Sequence, residues 1–247
     1  RRTRRGVRWS TSSGRISGPA SDSVMIGSQL WGIPVIYYLI AVAFLLPRIP
    51  VVGKFFNIIN TLVHEFGHAL LALLCNGQVM KIQIFSDTSG VTVTKSRSTF
   101  ASVIVSMAGY PFASLAAFVC FFTLKAGYER GLVLALSILF LFMLILWIRN
   151  IYGIVWVFFF LSINALLIFY FKKTDYIQLA AWFYSLMILI ESVWSTWVLL
   201  FLSIKNKNMA GDATNLAKFT RIPAVVWALL FTAFAAFMAY EVIALFI

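Results

Sequence analysis

Two histidines and a glutamate carry the only obvious chemistry in this chain, in the stretch His64-Glu65-Phe66-Gly67-His68. On a helix, residues four apart share a face, so His64 and His68 can present two imidazoles to one metal. Glu65 is three residues before His68, where its carboxylate can lean toward water beside that metal. This is the H-E-x-x-H arrangement of two zinc ligands and a general base. The chain contains no other histidine. The flanking residues, Asn57 to Val63 and Ala69 to Leu71, are mostly apolar and read as a buried helix. Unpaired imidazoles and carboxylates in hydrocarbon are costly, which favours a metal site over polar helix-packing residues, the plainer alternative.

The elements that must position this motif lie in a membrane. Of 247 residues 62% are hydrophobic, 17% aromatic and only 11% charged. Soluble domains run near a quarter charged, so no soluble core could hide this apolar surface. The net charge is +12, of which residues 1–24 contribute six Arg against one Asp. That Ser/Gly/Arg-rich leader lacks apolar periodicity and reads as a disordered basic tail or an expression remnant. Residues 25–247 read as one transmembrane domain. Cys75 and Cys120 are isolated in apolar runs and make neither a C-x-x-C motif nor a disulfide framework.

The fold expected is an all-α polytopic membrane protein of about seven transmembrane helices, with a small β-hairpin inserted after the motif helix. A first span runs from Leu30 to Leu46, and the motif helix from about Phe55 to Cys75, ended by Asn76-Gly77. Lys81–Phe85 and Gly90–Thr94 alternate with period two around the turn sequence Ser86–Ser89, which predicts paired strands. Such a strand can be an ordinary interfacial loop or an edge that captures an extended substrate. A third span, Thr99 to Leu124, contains Pro111, which frees a backbone carbonyl. The 41 apolar residues 131–171 split at Arg149-Asn150 into two short spans. Tyr176–Ile204 and Ile222–Phe246 complete the set. Basic residues concentrate in the tail, 77–98 and 205–221, placing these on the cytoplasmic side.

Catalytic zinc takes three protein ligands. With both histidines used, Asp, Glu or Cys must supply the third. Glu191, in mid-span, is one choice, unless it pairs with a basic group such as Arg149. Asp212, opening a short helix in Gly211–Ala217, is the other, unless it merely caps that helix. Spacing leaves both open. Asn60 and Thr61 share the faces of His64 and Glu65 and could orient them or simply pack.

His64-Glu65-Phe66-Gly67-His68-Ala69-Leu70 in a membrane helix resembles the site-2 protease family of intramembrane zinc metalloproteases. Gly77–Val93 is similar to that family's strand-forming insertion. Ala108-Gly109-Tyr110-Pro111 resembles its glycine-rich motif, and Asp212 through Leu216-Ala217, Thr220 and Ile222-Pro223 resembles the compact bacterial-type branch. Tyr110 departs from the usual Gly-Pro, and Asp212-Ala213 from the usual Asp-Gly. The resemblance implies one Zn2+ per chain on His64, His68 and Asp212, with Glu65 as catalytic base. It ranks Asp212 ahead of Glu191. It implies residues 25–247 as a transmembrane metalloprotease domain that cleaves a membrane protein with a transmembrane helix. It also implies a multi-pass protein of a bacterial cytoplasmic membrane, its partners lipid and substrate rather than nucleic acid, while the charge bias puts the amino terminus on the cytoplasmic side. A metal transporter or a non-catalytic protease-like scaffold is the alternative, although few polar residues lie away from the motif to line a transport path.

Overall fold

The computed structural model describes residues 28–30, 33–50, 52–171 and 174–247. The tail expected at 1–24 lies outside the described residues. Two short strands, β1 (Gln29–Leu30) and β2 (Ile33–Pro34), pair antiparallel ahead of α1 (Val35–Leu45). A 3-10 turn at Leu46–Arg48, started by Pro47, leads to the motif helix α2 (Val52–Leu74). Asn76 then adopts a left-handed φ of 54°. With Gly77 N–H donating to the Ala72 carbonyl at 2.8 Å, it ends the helix. Next come β3 (Gln78–Ile84) and β4 (Gly90–Lys95), an antiparallel pair with an irregularity at Val79/Lys81.

Among the described residues, five helices are long and apolar enough to cross a membrane. These are α3 (Thr99–Lys125), α4 (Glu129–Leu146), α5 (Ile151–Ala165, prolonged by a π turn to Tyr170), α6 (Thr174–Lys205) and α8 (Ala224–Ala244). A sixth crossing arises only if α1 and α2, bent by 101°, form one broken span or a re-entrant loop. The count of seven is not confirmed: the 11 residues of α1 rise only about 16 Å, half a hydrocarbon core of about 30 Å, and α2, long enough at 23 residues, carries the polar motif residues. The 41-residue run does divide in two, with α4 ending at Leu146 and α5 beginning at Ile151.

That division serves the sheet. Ile82 N–H donates to the Trp147 carbonyl at 2.7 Å, and Arg149 N–H to the Ile82 carbonyl at 3.2 Å. The Asn150 carboxamide pairs with both backbone groups of Ile84, accepting at 3.1 Å and donating at 2.6 Å. The outer edge of β3 is thus covered, and β4 pairs with no other described strand. The Arg149 guanidinium donates to the carbonyls of Ile145, Leu146 and Ile148, closing the end of α4. It does not pair with Glu191.

The main core joins α2 to α6, with Ile58, Leu62, Phe140, Met187 and Ile188 fully buried. A second apolar cluster holds α7 (Gly211–Thr220). Ala213 and Leu216, both at zero exposure, pack against Leu199, Ala228 and Phe231 of α6 and α8. A polar, non-spanning helix is thereby docked onto the bundle.

Candidate metal centre

The motif residues lie on one face of α2, whose opposite face supplies Ile58, Ile59, Leu62 and Val63 to the core. At that face His64 Nε2 and His68 Nε2 are 3.0 Å apart. Asp212 Oδ2 stands 3.2 Å from each. Among the described residues, these three form the one cluster of His, Cys, Asp or Glu able to share a metal. Donor atoms on a tetrahedral ion with bonds of about 2.0–2.1 Å lie about 3.3 Å apart, close to the measured edges. Two imidazole nitrogens and a carboxylate oxygen are also the donor types zinc takes. The residues fit the ion.

Their surroundings fix them in this arrangement. His68 Nδ1 lies 2.6 Å from the Val105 carbonyl of α3 and donates to it, leaving the Nε2 lone pair free. The carbonyl freed by Pro111 is that of Met107, four residues earlier, so this contact is separate from the proline kink. Gly109 lets α3 approach, since a Cβ there would overlap His64 Nε2 and His68 Nε2. The Tyr110 ring packs edge-on against His64, centroids 4.5 Å apart, and stacks on Phe231.

Asp212 does not cap its helix: the N-cap is Ala210. Thr214 Oγ1 accepts from Ala210 N–H at 3.0 Å and donates to the Lys207 carbonyl at 2.7 Å, pinning the loop that leads into α7. The Asp212 carboxylate, one residue into the first turn, turns to the imidazoles instead.

Glu65 is 4% exposed, and its Oε2 accepts from Thr92 Oγ1 of β4 at 2.5 Å. A Cβ on Gly90 would overlap the same carboxylate, so β4 passes directly over it. Thr61 donates to the Thr88 carbonyl at 2.9 Å, tying α2 to the hairpin turn rather than to a ligand. Glu191 pairs with Arg48 and not with the imidazoles. Thr92, Gly90 and the Val105 carbonyl escaped sequence reasoning. Only the alternation in β4 hinted that one face of that strand meets the motif helix.

His64, Glu65, His68, Asp212, Tyr110 and Glu191 border one cleft of about 1180 Å³, lined by α2 on one side and by residues Asp87 to Thr94 on another. The family model described as Peptidase M50B-like matches residues 35–242, most of the chain. No curated protein and no solved structure matches it.

Proposed function

Because the chain belongs to the Peptidase M50B-like family, within the site-2 proteases, we propose that it hydrolyses a peptide bond in or near a transmembrane segment of a membrane protein. The observation that carries this reading is the convergence of His64, His68 and Asp212 beside the buried carboxylate of Glu65. His64 Nε2, His68 Nε2 and Asp212 Oδ2 would hold one zinc ion. Bound there, zinc supplies a Lewis acid for the scissile carbonyl and makes water more acidic.

Glu65 takes the proton of the attacking water on its carboxylate and passes it to the leaving amine nitrogen. Thr92 holds one carboxylate oxygen, which leaves Oε1 for that exchange. The His68–Val105 contact keeps the imidazole from rotating. A substrate helix must unwind before its amide can reach Glu65, and its backbone groups then need partners. The outer edge of β4 borders the cleft and offers them by strand addition. The basic residues of 77–98 and 205–221 support placing the hairpin and α7 on the cytoplasmic side of the membrane.

The test is co-reconstitution of the zinc-loaded chain in lipid vesicles with candidate single-pass membrane proteins. Cleavage that the unmodified chain performs and Glu65→Gln does not, with zinc retained in both, is the expected result. A zinc-loaded chain that cleaves no such protein, or cleavage that persists in Glu65→Gln, contradicts the reading.

A further inference from the structure

The polar face of α2 continues past the metal centre. Asn57, Asn60, Thr61, His64, Glu65 and His68 fall on a single stripe at helical spacing, and all six border the cleft. Thr61 is engaged with the hairpin turn. The two asparagines are not engaged. Asn57 Oδ1 and Asn60 Oδ1 are buried with no hydrogen-bond partner among the described residues, and Asn60 as a whole is 7% exposed. The third such atom is Arg48 Nη2, which borders the same cleft. The other side of that guanidinium is paired with Glu191, and its face lies 4.5 Å from the Trp194 ring centroid. Buried polar side chains are nearly always satisfied in proteins. Three unsatisfied ones on one cleft mark a surface awaiting a ligand with both donors and acceptors.

We propose that Asn57, Asn60 and Arg48 form a second wall of the cleft, beside the β4 edge, that hydrogen-bonds the unwound backbone of the substrate. This deepens the protease reading and rests on it. A peptide unit freed from its helix presents one N–H and one C=O, and a carboxamide complements both. The protein already uses this pairing once, where Asn150 binds both backbone groups of Ile84. The Arg48–Glu191 pair is neutral overall, so the free N–H of Arg48 suits an uncharged carbonyl better than a second carboxylate.

The spacing matches a peptide. Asn60 lies about 6 Å along the helix axis from His64, and Asn57 about 10 Å. An extended chain rising about 3.3 Å per residue covers these distances in about two and three residues. The wall therefore engages backbone two to three residues from the scissile bond. It reads main chain and not side chains, so it selects segments that unwind easily.

The probes are synthetic peptides ending in a hydroxamate, a zinc-binding group, with arms of zero to four residues built in both chain directions. Their affinities are measured on the full zinc-loaded chain in detergent by tryptophan fluorescence. Affinity should rise about 10-fold between the one- and three-residue arms in one direction, and N-methylation of the second or third amide should abolish that rise. Asn60→Leu and Asn57→Leu should lose the same rise and bind the armless hydroxamate as the unmodified chain does. Their thermal midpoints should not fall, because each removes an unpaired buried oxygen; a structural asparagine would lower them. Long arms that bind these variants and N-methylated peptides as tightly as the unmodified pair overturn the wall alone. Failure of the armless hydroxamate to bind the unmodified chain overturns the metal reading beneath it, and the wall with it.

Discussion

Thr92 Oγ1 stands 2.5 Å from Glu65 Oε2 and 3.2 Å from the Glu65 carbonyl, so a strand side chain fixes the helix residue that would act as base. The contact joins residues 27 apart on two different elements. It explains why β4 lies over the motif without a side chain at Gly90, where a Cβ would overlap the carboxylate. The strand that borders the cleft and the carboxylate proposed to move protons are thereby one unit.

Thr92→Val keeps the shape of the strand and removes the hydroxyl. Turnover of a cleaved membrane substrate should fall about 10-fold or more, zinc content should stay unchanged, and Thr92→Ser should recover most of the loss. Steady-state cleavage in vesicles, with metal analysis of each variant, checks this.

Gly109→Ala would ordinarily favour a helix by about 1 kcal/mol. Here the added methyl group overlaps His64 Nε2 and His68 Nε2, so the variant should bind zinc poorly and melt earlier, by about 1–3 kcal/mol of overpacking. Gly131→Ala, whose nearest neighbour is Tyr128 Cβ at 3.7 Å, is the matched control and should keep its zinc and melt no earlier than the unmodified chain. Zinc per protein and thermal denaturation in detergent read both.

His64 and His68 are legible from the sequence because i, i+4 spacing alone puts them on one face, whatever surrounds them. The break at Arg149-Asn150 is legible because an apolar run twice too long must fold back. The choice between Asp212 and Glu191 is not, since it depends on how α7 docks. That docking rests on Ala213 and Leu216, two residues of no special character in sequence. The Arg48–Glu191 pair is hidden for the same reason: Arg48 reads as a loop residue after the first span, and only the bend between α1 and α2 brings it to α6. Alternation in 81–94 tells which side chains share a face and not that Thr92 meets Glu65.

Arg48→Ala leaves Glu191, whose side chain is 8% exposed, without its partner. Losing one member of a fully buried pair costs about 3–5 kcal/mol, and the 27% exposure of Arg48 reduces this to about 1–3. The double variant Arg48→Met with Glu191→Leu should recover most of that stability. Thermal midpoints of the two variants in one detergent test the pair, and equal losses in both would show that it does not stabilise the bundle.

Zinc per protein in detergent, for the unmodified chain, Asp212→Ala and Glu191→Ala, tests the metal centre without needing a substrate. Near-stoichiometric zinc in the unmodified chain and in Glu191→Ala, with selective loss in Asp212→Ala, is the predicted result. Zinc lost with Glu191→Ala and kept with Asp212→Ala, or absent from every preparation, would contradict it.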